Sequence, residues 1–82
     1  MIIAPANGPV KPALSRTARP IVQNLGPGTL YLNTSSQNVV ASGIKMEPMA
    51  VYEFPTSLVE GAGELWFEAN GDVCDVRVLN VG

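Results

Sequence analysis

From Ile21 onward the chain sets short apolar runs between turn residues, and no stretch keeps a 3.6-residue apolar period over the roughly ten positions a helix needs. That pattern predicts strands. Ile21-Val22-Gln23 runs into Asn24-Leu25-Gly26-Pro27-Gly28, where glycines on both sides of Pro27 predict a tight turn, and Thr29-Leu30-Tyr31-Leu32-Asn33 resumes as a strand. Thr34-Ser35-Ser36-Gln37-Asn38 reads as a polar loop. Val39-Val40-Ala41 and Ile44-Lys45-Met46 read as strands around Ser42-Gly43, and Glu47-Pro48-Met49 turns the chain into Ala50-Val51-Tyr52-Glu53-Phe54.

After a connection over residues 55–63, Glu64-Leu65-Trp66-Phe67-Glu68 and Val73-Cys74-Asp75-Val76-Arg77-Val78-Leu79 predict a closing pair of strands. Between them lies Ala69-Asn70-Gly71-Asp72, and Asn-Gly is a strong hairpin signal because both residues accept positive φ. Alternation sends Cys74, Val76 and Val78 to one face and Asp75 and Arg77 to the other. Leu65 and Phe67 then share the inner surface. Trp66 either faces outward with Glu68, suited to a subunit interface, or fills the core with Leu65 and Phe67 at its rim. About six or seven short strands with Gly and Pro between them predict an all-β domain, a small antiparallel β-sandwich or flattened barrel.

The first twenty residues read differently. Four of the seven prolines lie there, each removing an amide donor and pushing the residue before it toward extended backbone. Residues 1–20 are therefore expected to form an extended, Pro-rich arm, and residues 21–82 the folded domain. The arm carries Lys11, Arg16 and Arg19 and no acid, whereas the domain carries all seven acids against Lys45 and Arg77. Spaced aliphatics (Ile2, Ile3, Val10, Leu14) suit docking on a neighbour, and the basic residues suit an acidic protein surface. Partner contacts are accordingly expected at Ile2, Ile3, Lys11, Leu14, Arg16, Arg19 and Trp66.

Eighty-two residues bury a thin core, so a partner is expected to contribute to stability. The longest apolar run falls well short of the ~20 residues of a membrane helix, and no basic segment precedes the opening apolar residues as in a secretory leader. No membrane association is expected. A single cysteine excludes an internal disulfide framework, and Cys74, set among valines with no basic neighbour, reads as a packing residue.

The chain has no histidine, which removes the commonest general base and metal ligand together. Asp72 with Asp75, or Glu64 with Glu68, lacks the run of alternating acids that a hard cation wants. Gly26-Pro27-Gly28 and Gly61-Ala62-Gly63 lack the lysine of a phosphate loop and the third glycine of a dinucleotide site. No enzyme activity, cofactor or metal is expected. Three basic residues without interleaved aromatics, beside an acidic domain, also argue against nucleic acid.

The succession Asn24-Leu25-Gly26-Pro27-Gly28-Thr29-Leu30-Tyr31-Leu32, Ala41-Ser42-Gly43-Ile44-Lys45-Met46-Glu47-Pro48, Leu65-Trp66-Phe67 and Val76-Arg77-Val78-Leu79 resembles the small β-rich virion proteins of tailed bacteriophages, capsid decoration proteins among them. The likeness spans residues 21–82 and is one of turn and strand rhythm. It departs at Met49, where many such proteins carry glycine after the mid-chain proline. The resemblance implies a structural protein on the outside of a phage head, bound to the major capsid protein or another virion protein, often as a homotrimer. A tail or neck accessory protein fits the same pattern. Alternatively, a small carbohydrate- or ligand-binding β module would use Trp66, Tyr31 and Tyr52 as stacking surfaces.

Overall fold

The computed structural model describes residues 1–14, 19–56 and 64–81. Two long strands carry the fold: β2 (Arg19–Asn33) and β5 (Trp66–Val81) run antiparallel along almost their whole lengths. Shorter strands flank them. β1 (Ile2–Ile3) lies on the free edge of β5, and β3 (Ile44–Met46) and β4 (Val51–Glu53) lie one after the other along the far edge of β2. The all-β class holds, as one sheet of five antiparallel strands among the described residues, fewer than the six or seven expected.

The count falls because two expected turns are not turns. Gly26-Pro27-Gly28 lies within β2, and Asn70-Gly71 lies within β5. Between the pairs Thr29↔Asn70 and Pro27↔Cys74, β2 advances two residues while β5 advances four; from there to Asn24↔Val76, β2 advances three and β5 two. Each strand thus absorbs its glycine-containing segment as a bulge. Gly71, at φ 85°, meets the conformational demand that a hairpin turn would have made. The expected hairpin fails for a physical reason: β2 presents a ladder long enough to pair both halves of β5, which leaves the halves nothing to gain by pairing with each other.

The bulge also resets alternation. Phe67 and Ala69 point inward before it, Cys74 and Val76 after it, so odd positions give way to even ones without the strand turning over. The inner side chains of all five strands meet in one cluster that includes Ile3, Val22, Leu30, Met46, Phe67 and Val76, with Tyr52 packed against it. Phe67 is wholly buried, worth about 1.5–3 kcal/mol of transfer free energy. The inner and outer assignments for Leu65, Phe67, Cys74 and Val76 hold, as do those for the outward Asp75 and Arg77.

Val39-Val40-Ala41 forms no strand. It belongs to the one-turn helix α1 (Val39–Ser42), in which Gly43 N–H donates to the Val39 carbonyl at 2.9 Å and Val39 is buried. Short β-branched runs favour strands only where a ladder partner exists, and here the backbone groups are satisfied locally. Gly43 sits against the Leu32 and Val39 carbonyls with no room for a Cβ.

Residues 1–14 do not stand apart from the domain. Ile3 is 1% exposed at the centre of the cluster, paired with Cys74, while Val10 bridges to Phe67 and Leu14 packs on the core. Pro5–Asn7 makes a single 3₁₀ turn that fits the prolines, and Arg19 and Pro20 already belong to β2. The segment is one wall of the core. Its prolines are compatible with this because β1 is a two-residue edge strand that asks little of the ladder.

Candidate functional site

The sheet presents its chemistry on two surfaces, the inner node around Asn24 and the outer face of the β2–β5 pair. Asn24 is the one buried polar residue among those described, and every polar atom of its side chain is used. Its Nδ2 donates to the carbonyls of Gly28 and Met46, both at 3.0 Å, and its Oδ1 accepts from Gly26 N–H at 2.9 Å. Its backbone ties the chain at 49–50: Asn24 N–H donates to the Ala50 carbonyl at 3.0 Å, and Met49 N–H to the Asn24 carbonyl at 2.6 Å. One residue therefore closes the β2 bulge with its side chain and anchors the β3–β4 connection with its backbone. Met49, where the resemblance expects glycine, holds a φ of 74°, the left-handed conformation that glycine favours.

The outer face has two unlike ends. Around β2 residues 31–33, register sets Trp66 beside Asn33, with Glu68 and Lys45 on either side of Tyr31. Trp66 is half-buried and faces outward; its Nε1 donates to Glu64 Oε1 at 2.9 Å, and Lys11 Nζ lies 5.9 Å from the ring centroid and 3.6 Å from Glu64 Oε2. Lys45 Nζ meets Glu47 at 3.0 Å, which raises its pKa by hydrogen bonding and then by charge. Around residues 21–23 the face is aliphatic at its corners, with Val51 58% and Leu79 62% exposed. Arg77 reaches Asp75 at 3.3 Å through both Nε and Nη2, and that bond lowers the Asp75 pKa.

Of the residues expected to meet a partner, Ile2 is exposed on the outer face beside Asp75 and Arg19 is exposed at the start of β2. Two do not fit the expectation. Ile3 is a core residue because β1 joins the sheet and alternation turns its second side chain inward, and Leu14 is half-buried against the core. Lys11 is spoken for by Glu64 of its own chain, and Trp66 shares that contact. Arg16 lies outside the described residues. Sequence reading passed over Val51 and Leu79; alternation about Tyr52 and Val78 was the signal that could have found them.

Cys74 is buried, and its thiol pKa is raised by burial and secondarily by Asp72, against a backbone hydrogen bond from Asn70. Among the described residues no group of three or more His, Cys, Asp or Glu is placed to hold a metal ion, and no helix is long and apolar enough to cross a membrane. An open groove lined by Leu32, Ile44, Phe54 and Leu65 is almost wholly apolar. No family model matches this chain, and neither a curated protein nor a solved structure matches it.

Proposed function

We propose that the chain is a structural virion protein of a tailed phage, a decoration or cement protein that binds the outside of the head through the major capsid protein or a neighbouring virion protein. The observation that carries this reading is the amount of aliphatic surface left uncovered on so small a domain. Ile2, Ile44, Met49, Val51 and Leu79 are each more than half exposed, and side chains of this kind on an 82-residue protein suit contact with other protein. The motif resemblance over residues 21–82 supplies the setting. Its role is attachment and reinforcement at junctions between capsid subunits.

The test is direct. Purified particles carrying the protein are imaged by cryo-electron microscopy, with particles assembled without it as the reference. Difference density of about 8.6 kDa per copy on the head supports the reading. Density confined to the tail or neck moves the protein to the alternative accessory role, and absence from particles refutes a virion function.

A ligand-binding module has one observation in its favour: Trp66 and Tyr31 sit at diagonal register positions on one outer surface, with Asn33 and Glu68 beside them. A change in tryptophan fluorescence on titration with oligosaccharides, lost in Trp66→Ala, would support that reading instead.

A further inference from the structure

The end of the outer face around Ile21 has a symmetry of its own. Register sets Glu53, Ile21 and Leu79 in one cross-strand row and Val51, Gln23 and Arg77 in the next. Opposed residues in an antiparallel pair share a face; strands lie about 4.8 Å apart, and alternate residues on a strand about 6.8 Å apart. The six side chains form a two-by-three grid. Opposite charges, Glu53 and Arg77, occupy two diagonal corners, and aliphatics, Val51 and Leu79, the other two.

Turning a second copy over about the Val51–Leu79 diagonal and laying it on the first brings like onto like for the aliphatics and unlike onto unlike for the charges. Val51 meets Val51, Leu79 meets Leu79, and on these spacings each Glu53 falls about 4 Å from the Arg77 of the other copy in the plane of the face, within reach of that long side chain. We propose that this face docks a second copy of the chain about a two-fold axis along that diagonal. A surface that pairs with itself must carry such self-complementarity, since every contact across a two-fold axis occurs twice.

Local chemistry favours the same occupant. Val51 and Leu79 are mostly exposed, and Ile2, 66% exposed beside Asp75, extends the aliphatic margin. Glu53 has no ion-pair partner among the described residues. Arg77 is bonded to Asp75 at 3.3 Å, long for a charge-assisted pair, and uses only Nε and Nη2, which leaves Nη1 to face a carboxylate from outside. At the other end of the face Lys45 and Lys11 are already paired within the chain, so that end lacks the free charges of a self-docking surface. The inference rests on the assembly reading only in taking the exposed aliphatics to meet protein, and its two-fold pairing replaces the trimer that the resemblance implies.

Sedimentation equilibrium of the full chain over a wide concentration range tests it. The wild type is expected to be a reversible dimer, and Leu79→Asp a monomer. Glu53→Arg and Arg77→Glu each place like charges opposite one another twice, so each alone is expected to weaken dimerisation by ten-fold or more, on the order expected for juxtaposed like charges. Mixed in equal amounts, these two variants restore both opposite-charge pairs and should form a heterodimer. Circular dichroism of each variant separates lost docking from lost folding.

A wild type that is monomeric throughout, a trimer, or two charge variants that do not associate when mixed would overturn the two-fold face. The virion reading fails separately. A monomer that still decorates particles refutes only the two-fold face, and a dimer absent from particles refutes only the virion role.

Discussion

Replacing Asn24 tests whether one side chain holds the bulged centre of the sheet. Asn24→Leu keeps the branching at Cγ and removes all three side-chain hydrogen bonds, orphaning the Gly26 N–H and the Gly28 and Met46 carbonyls. A buried polar group left unpaired costs about 1–3 kcal/mol, so even the lower bound for three groups is about 3 kcal/mol. A domain of this length holds roughly 4–12 kcal/mol in total. The loss should lower the melting midpoint by about 12–24 °C, using about 4–8 °C per kcal/mol for a small domain.

The control is Asn33→Ala, whose side chain donates to the Gln37 carbonyl at 3.4 Å and accepts from Thr34 N–H at 2.8 Å, both in an exposed setting where water can replace them, so it should shift the midpoint little. Asn24→Asp adds a pH signature. Its carboxylate keeps the acceptor for Gly26 but turns an oxygen toward two carbonyl oxygens, which raises its folded pKa above the unfolded value of about 3.9. Its stability should then be greatest below the unfolded pKa and fall as pH rises through the folded one. Thermal and urea melts of the three variants between pH 3 and 8 decide the matter. An Asn24→Leu protein as stable as Asn33→Ala would refute the reasoning, because the three bonds would then carry no net weight.

Three further outcomes are expected. Ile3→Ala should cost about 2–5 kcal/mol as a core truncation, while Ile2→Ala on the exposed side of the same strand should change the urea midpoint little; equal effects would place residues 1–14 off the core. Gly28→Ala puts its Cβ onto the Asp72 carbonyl, 2.6 Å from the carbonyl carbon and 3.0 Å from the Val73 oxygen, so backbone must move; Gly71→Ala meets open space and only a φ of 85°. Thermal melts should therefore rank Gly28→Ala well below Gly71→Ala, whose cost is about 1–2 kcal/mol. Cys74 should react slowly with a thiol reagent in the native protein and fast in urea; because its folded pKa is raised, its contribution to stability is present below the unfolded pKa and lost as pH rises through the folded one, a fall that Cys74→Ala should lack.

Binary alternation was the legible part of this fold. The inward set Phe67, Cys74 and Val76 and the outward Asp75 and Arg77 follow from period-two patterning, which survives whatever the strand pairs with. Which strand pairs with which did not follow, because Asn-Gly and Gly-Pro-Gly are equally good as turns and as bulges. The choice depends on a partner dozens of residues away. The docking of residues 1–14 was hidden for a similar reason: Ile3 looks like a tail residue until β5 offers an open edge for it. The self-complementary grid on the outer face is a product of register alone, so no reading of single strands could have assembled it.

The connectivity of the sheet makes the chain a two-part object. Each of its strand pairs, β1 with β5 and β2 with β3, β4 and β5, joins a segment before the exposed loop at 34–38 to one after it. Among the described residues neither half owns a ladder. A chain cut in that loop would give two pieces with no sheet of their own, each the template for the other, and mixing them should regenerate the fold from two unstructured peptides. During synthesis the same arrangement means that no ladder can close until β3 has been made, and the long one not until β5 has been made.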